Sequence, residues 1–356
     1  MSVVKLARPE IQALRPYEAA EQVDDTIRLN ANESPRTVNS GRFRRPLNRY
    51  PEVRPLALQR ALASRFGCRP EELLVTRGSS EAIDLVIRTF CRAGQDGVLV
   101  TSPSVSMYRH YAAVQGATLI EVATRPERDF EIDVDELLAA CNDSTRLIFL
   151  CSPNNPTGTT LPRKDLLRLL EARGDQSVIV VDEAYVEFGD EPSVTDLLPR
   201  FDNLLVLRTL SKALGFAGAR CGAVAGPEAV IRMLAAVQAP YALATPVVEC
   251  VEDALQADQI ESAGEVVEEI IKERERLVAA FGTYDFISKV WPSDANFLLV
   301  RVDDASRVMR RCAELKVLLR HFGGDLDDCI RISVGSPADN DQLLRALDTI
   351  KDGPHG

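Results

Sequence analysis

Between about residue 70 and residue 226, short apolar runs rich in β-branched residues alternate with segments of helical periodicity. This alternation is typical of a mainly parallel sheet whose strands are connected by helices. The predicted strands span residues 73–76, 98–101, 118–122, 147–151, 178–181, 204–207 and 222–225. The sequence therefore predicts an α/β fold: a large lobe with a mostly parallel seven-stranded sheet flanked by helices.

The pattern changes after about Pro240. A long charged helical segment at 261–281 is followed by apolar runs at 297–302 and 329–334, which predicts a smaller α+β C-terminal lobe. We divide the chain into an N-terminal arm (residues 1–28), a large domain (29–239) and a small C-terminal domain (240–356). We expect the arm to pack on the small lobe or on a partner subunit.

Composition excludes several classes of function. A net charge of -11 argues against a nucleic-acid-binding surface, which needs clustered Lys and Arg. The eight cysteines show no spacing of a metal finger or redox pair, and only three histidines are present, so we assign no metal and expect reduced thiols. No run approaches the roughly 20 apolar residues that span a bilayer. We expect a cytoplasmic protein that does not bind membranes.

Four motifs follow predicted strands of the large lobe. They are RGSSE at 77–81, SPNNPTG at 152–158, VDEAY at 181–185 and TLSKALGFAGAR at 209–220. Open α/β sheets place their ligands at the carboxyl ends of the strands. Each motif alone is common in proteins, whereas all four in this order indicate one ligand site.

Together these motifs resemble the fold-type I pyridoxal-phosphate enzymes and, within them, the class II aminotransferases of the histidinol-phosphate aminotransferase family. The resemblance extends from LNANESP at 29–35 to RISVG at 331–335. It implies pyridoxal 5′-phosphate as cofactor. It also implies ping-pong transamination between L-histidinol phosphate and 2-oxoglutarate, which gives imidazole acetol phosphate and L-glutamate in histidine biosynthesis.

The resemblance assigns the chemistry of the cofactor ring to five residues. Lys212 holds the cofactor as a Schiff base and then moves the substrate proton. Asp182 pairs with the protonated ring nitrogen. Asn155 and Tyr185 donate hydrogen bonds to the ring oxygen, and Tyr108 stacks on the ring face.

The cofactor phosphate requires backbone N–H groups at a helix N-terminus and a cation. The positions that match are Gly78, Ser79, Ser80, Ser211 and Arg220.

Tyr50 matches a tyrosine that reaches the cofactor phosphate of the neighbouring subunit, which implies a homodimer with shared active sites.

The substrate side is assigned by the same resemblance. Arg331 matches an arginine that grips the substrate anion, whether phosphate or carboxylate. The remaining substrate positions are Tyr17, Asn32, Asn155 and Arg320. The sequence departs from the family at Ser104 and Val105, where relatives often carry Thr and Tyr, and this leaves the cofactor contacts there open.

Two alternatives remain open from the sequence. An aromatic amino-acid aminotransferase or an O-phospho-amino-acid decarboxylase would share the lysine and the aspartate and differ in what the small-lobe arginines hold. A catalytically idle, cofactor-binding regulator is a third possibility. Such regulators carry an added DNA-binding segment, for which the N-terminal arm is too short.

Overall fold

A computed structural model describes residues 3–18, 22, 28–37 and 43–351 of the chain. The helices are α1 Pro9–Gln12, α2 Leu56–Phe66, α3 Gly78–Phe90, α4 Ser106–Gln115, α5 Val134–Ala140, α6 Arg163–Arg173, α7 Glu228–Val237, α8 Thr245–Ala254, α9 Ala257–Phe281, α10 Ala305–Glu314 and α11 Pro337–Lys351. The strands are β1 Leu73–Thr76, β2 Gly97–Ser102, β3 Thr118–Ala123, β4 Thr145–Cys151, β5 Val178–Asp182, β6 Leu204–Thr209, β7 Gly222–Ala225, β8 Ile287–Val290, β9 Phe297–Val302, β10 Arg320–Gly323 and β11 Leu326–Ser333.

The large lobe contains one seven-stranded sheet in the order β1-β7-β6-β5-β4-β2-β3. Strand β7 is antiparallel to both of its neighbours, and the other pairs are parallel. All seven predicted strands of this lobe are present, so the predicted fold class is confirmed. The carboxyl ends of β1, β4, β5 and β6 meet at one edge of the sheet, which brings the four motifs together.

Helices cover both faces of this sheet because its central strands are apolar on both sides. Residues alternate along each strand: Phe149 and Val180 face the core beneath α3, α4 and α7, whereas Ile148 and Ile179 face the core beneath α5 and α6. Strands β5 and β6 are buried along their whole length. The sheet is therefore a rigid platform for the side chains at its edge.

The small lobe contains a four-stranded antiparallel sheet in the order β10-β11-β9-β8. Helices α9, α10 and α11 pack on it through residues such as Leu277, Val308 and Leu347. The α8 helix, by contrast, buries Val248 and Val251 against α2 of the large lobe. The exact boundary between the two domains stays a proposal.

The described start of the N-terminal arm packs on the large lobe and not on the small lobe, whereas the expected packing on a partner subunit stays a prediction. Val3 and Ala7 are buried in the same core as α3 and α7 of the large lobe. The backbone N–H of Arg8 donates to the carbonyl of Thr89 at 3.0 Å. The apolar residues of this segment thus find a partner surface on their own large lobe rather than on the small one.

In the described ranges, no helix combines the length and apolarity needed to cross a bilayer. The same ranges contain no group of three or more His, Cys, Asp or Glu side chains able to hold a metal ion. All eight cysteines are free thiols.

Candidate active site

Asp182 is the last residue of β5 and is 2% exposed. Its carboxylate accepts a hydrogen bond from the Tyr108 hydroxyl at 2.8 Å and one from the backbone N–H of Ala184 at 3.2 Å. No Lys, Arg or His of the described chain forms an ion pair with it. Burial raises the pKa of Asp182 to about 6, although both hydrogen bonds and the charge of Lys212 favour the ionised form. The carboxylate therefore lacks the cationic partner that would stabilise it.

Tyr108 lies on α4 and is fully enclosed by protein. Its ring stacks on Phe149, with centroids 4.9 Å apart and planes inclined by 22°. Burial and the nearby Asp182 charge raise the pKa of Tyr108 well above its ordinary value, which keeps the hydroxyl a hydrogen-bond donor. Sequence reasoning missed its bond to Asp182. The predicted stacking of Tyr108 on a cofactor ring stays a prediction.

Lys212 lies in the loop between β6 and β7 and is exposed to solvent. Its Nζ is 5.5 Å from the centroid of the Tyr185 ring. Although the side chain reaches solvent, the surrounding protein partly desolvates the amine, and this lowers the pKa of Lys212. The charges of Arg331 and Arg220 lower it further, against the opposing effect of Asp182. The amine forms no hydrogen bond or ion pair with the described residues. It is therefore an unengaged amine with an increased unprotonated fraction, which suits a nucleophile.

A chain of hydrogen bonds links the two lobes beside this lysine. Arg331 of β11 donates to the side-chain oxygen of Asn155 at 2.5 Å, and the Asn155 amide donates to the Tyr185 hydroxyl at 3.2 Å. Tyr185 meets Phe297 edge to face, with ring centroids 5.2 Å apart. The structure thus brings Asn155, Tyr185 and Arg331, three of the predicted site residues, into contact, while their roles stay predictions.

One end of the site has the features of an anion cradle. Gly78 begins α3 with a φ of 72°, and a Cβ there would lie 2.9 Å from the Arg220 guanidinium. The first N–H groups of a helix have no partner within the helix and carry partial positive charge. Ser79 and Ser80 occupy the first turn. Ser211 lies on the lysine loop, where its hydroxyl accepts from Thr209 at 3.0 Å.

Arg220 completes this cradle in an unusual backbone conformation. It adopts the left-handed region with a φ of 54°, which costs energy for a residue other than glycine. Its guanidinium donates to the carbonyl of Ala217 at 3.2 Å and pairs with no carboxylate of the described residues. The site therefore holds a positive charge that an anionic ligand would neutralise.

The small lobe contributes two further cations. Arg320 and Arg331 are cross-strand neighbours on β10 and β11. Neither forms an ion pair with a carboxylate in the part of the chain that the structure describes, although like charges in this position destabilise a sheet. The Arg331 guanidinium carbon lies 5.2 Å and 5.6 Å from the ring centroids of Phe297 and Phe322. Such a pair is suited to a phosphate or a carboxylate.

The residues present fit pyridoxal phosphate. A buried carboxylate without a cation matches a protonated ring nitrogen, a free amine matches an aldehyde, and the cradle around Gly78 and Arg220 matches a phosphate. All three features lie at one edge of the sheet.

Three predicted residues lie on the N-terminal segments. Tyr17 and Tyr50 are half exposed and flank Tyr241, with ring centroids 6.0 Å and 4.7 Å away. Asn32 is exposed and adopts a φ of 54°. Within the described chain, no hydrogen bond joins any of the three to Lys212 or Asp182. Their functional roles stay predictions.

The departure at positions 104 and 105 has a structural counterpart. The Ser104 hydroxyl donates to the side-chain oxygen of Asn154 at 2.8 Å, while Val105 precedes α4. Ser104 thus supports the loop that carries Asn155.

The chain belongs to the class I and II aminotransferase family, whose model matches residues 24–347. It is 40% identical to the histidinol-phosphate aminotransferase of Aeromonas hydrophila, over 98% of each chain. It is 41% identical to that of Stenotrophomonas maltophilia, over 97% of this chain and 96% of the relative.

The structure of histidinol-phosphate aminotransferase from Sinorhizobium meliloti in complex with pyridoxal-5′-phosphate has a TM-score of 0.77 and 25% identity. The match covers 85% of this chain and 84% of that one. The predicted family is confirmed.

Proposed function

We propose that this protein is a pyridoxal-phosphate-dependent aminotransferase that acts on L-histidinol phosphate and 2-oxoglutarate in histidine biosynthesis. The observation that carries the proposal is the arrangement of charges: Asp182 is buried without an ion-pair partner, and the Lys212 amine has no hydrogen bond or ion pair among the described residues. Arg220 beside Gly78, and the cross-strand neighbours Arg320 and Arg331, also lack carboxylate partners there. The names of relatives about 40% identical over almost the whole chain support the same activity.

The bound cofactor supplies an aldehyde that an amine can hold covalently and a ring that accepts electrons. Asp182 would hold a proton on the ring nitrogen, because its buried charge would be stabilised by a cation. Lys212 would provide the amine that holds the aldehyde and the base that moves the proton at the substrate α-carbon. Asn155 and Tyr185 would donate hydrogen bonds to the ring oxygen, and the Gly78–Ser80 turn would hold the phosphate with Ser211 and Arg220.

The two small-lobe arginines account for both substrates. Histidinol phosphate has a phosphate and no α-carboxylate, whereas glutamate has two carboxylates. A planar guanidinium binds either anion with two parallel hydrogen bonds. Arg331 and Arg320 would therefore hold the phosphate in one half-reaction and a carboxylate in the other, with Tyr17, Asn32 and Asn155 around them.

A substrate panel tests the proposal. Histidinol phosphate, phenylalanine, tyrosine and O-phosphothreonine are each offered with 2-oxoglutarate, and glutamate formation and carbon dioxide release are measured. We expect kcat/KM to be at least about 100-fold higher for histidinol phosphate than for phenylalanine or tyrosine, since a site built for a phosphate discriminates against ligands that lack it. Preference for an aromatic amino acid, or carbon dioxide release from O-phosphothreonine, would instead identify one of the two alternative activities.

We further propose a cytoplasmic homodimer in which Tyr50 of each subunit reaches the cofactor phosphate of the other. Its ring is half exposed, and among the described residues no hydrogen bond joins it to Lys212 or Asp182 of its own chain, which supports this proposal.

Subunit complementation tests the shared site. Lys212→Ala and Tyr50→Ala are each expected to have impaired sites, but a mixed dimer contains one site with both residues intact. Unfolding and refolding the two variants together should restore about a quarter of the wild-type activity, because half of the dimers are mixed and have one good site each. Activity no higher than the sum of the separate variants would contradict the shared site.

A further inference from the structure

Glu33 lies in the 28–37 segment, and its side chain is 2% exposed. One carboxylate oxygen accepts hydrogen bonds from Arg28 at 2.7 Å and from the backbone N–H of Tyr50 at 2.8 Å. The other accepts from Arg49 at 2.8 Å. A single buried carboxylate thus connects the 28–37 segment to the segment that ends in Arg49 and Tyr50.

These contacts hold two functional segments at once. Glu33 directly follows Asn32, whose left-handed φ of 54° depends on a fixed backbone. A second bond, from the Asn48 amide to the carbonyl of Ser34 at 2.8 Å, joins the same two segments. The positions of Asn32 and Tyr50 are therefore coupled through Glu33.

The segment that carries Tyr50 is also held at its other end. Glu249 of α8, itself 5% exposed, accepts from the backbone N–H groups of Arg44 and Arg45 at 2.8 Å and 2.6 Å. The 43–50 segment is thus fixed at both ends by buried carboxylates, while the Tyr50 ring stays half exposed on Tyr241. The Tyr50 ring is therefore held in a fixed position on Tyr241, with about half of its surface exposed to solvent.

We propose that Glu33 is a positioning residue for the active site of the dimer. It fixes the backbone of Tyr50 so that the ring reaches the phosphate cradle of a neighbouring subunit, and it fixes Asn32 beside the substrate of its own subunit. This inference rests on the proposed function, since it assigns Tyr50 and Asn32 the roles given there.

The first test compares Glu33→Gln with Glu273→Gln. Glu273 is a matched control: its carboxylate binds Arg276 at 2.7 Å and Asn340 at 2.7 Å, and it lies on α9 of the small lobe. Affinity for pyridoxal phosphate is measured by titrating the cofactor-free dimer, together with its melting temperature. We expect Glu33→Gln to weaken cofactor affinity about 10-fold, the effect of misplacing one hydrogen bond to a charged group. Glu273→Gln should lower only the melting temperature.

The second test is a double-mutant cycle with Tyr50→Phe. If Glu33 acts through Tyr50, the double variant loses no more cofactor affinity than Tyr50→Phe alone. Independent, additive losses would overturn the inference, as would wild-type affinity in Glu33→Gln or in Tyr50→Phe. If Glu33→Gln fails to fold, Arg49→Gln is used in its place, because it removes only one contact of the Glu33 carboxylate. Arg49→Gln must then weaken the affinity for pyridoxal phosphate, by less than about 10-fold. Turnover of histidinol phosphate by the wild-type protein tests the proposed function independently of these variants.

Discussion

Lys212→Ala should reduce transamination by roughly 10⁴-fold or more, because the change removes both the amine that holds the cofactor and the base that moves the proton. The visible absorbance of the lysine-bound cofactor should disappear as well. Both effects are measured by single-turnover kinetics and absorbance spectra of the purified dimer. Transamination at a normal rate in this variant would remove the proposed mechanism.

The fold should tolerate this change. Lys212 has no hydrogen bond or ion pair in the described chain, and it lies near two other cations, Arg331 and Arg220, whose charges lower its pKa. Its removal leaves no buried partner unpaired, so the melting temperature of the cofactor-free protein should not fall. Lys212→Arg is the matched variant: it keeps a positive charge but no usable amine, and should be equally inactive.

Asp182→Asn should stabilise the cofactor-free protein and impair the enzyme. In the folded chain the Asp182 pKa is about 6, above its ordinary value of 3.8. A raised carboxyl pKa means that the unfolded state ionises first, so the wild type loses stability as pH rises from about 4 to 6. The loss is about 3 kcal/mol, since one pKa unit corresponds to about 1.4 kcal/mol. The neutral amide avoids this cost.

Denaturant unfolding at two pH values tests this reasoning. At pH 8 the free energy of unfolding of cofactor-free Asp182→Asn should exceed that of the wild type by up to about 3 kcal/mol, and near pH 4 the two should converge. Turnover should fall at least about 100-fold, because a neutral amide cannot hold the ring nitrogen protonated. A variant less stable than the wild type at pH 8 would show that the buried charge is already compensated.

The large lobe could be predicted strand by strand because its signals are local. Each of the seven apolar runs between 73 and 225 forms a strand, and the motifs that follow them meet at one edge. The order of the strands was not predicted, because it depends on long-range packing rather than on periodicity. Strands β8 and β10 of the small lobe were also missed: both are only half buried and lack a continuous apolar run.

The candidate site was predicted through its motifs, whereas its supporting contacts were not. The hydrogen bond from Tyr108 to Asp182 joins residues that are far apart in sequence. Neither residue type by itself predicts that the other is its partner. From the sequence alone, Glu33 is indistinguishable from an ordinary acidic surface residue next to Asn32. Only the fold reveals that two arginines and a backbone N–H enclose its carboxylate.

The position of β7 has a consequence for biosynthesis of the protein. Strand β1 lies at the margin of the sheet, and β7, the last strand of that sheet to be made, is its sole neighbour within the described part of the chain. A growing polypeptide on the ribosome thus has nowhere to dock β1, and the glycine turn behind it, until residues 222–225 have emerged. Pyridoxal phosphate can therefore bind only when synthesis of the large lobe is nearly finished, although Gly78, Ser79 and Ser80 of its phosphate cradle are made much earlier.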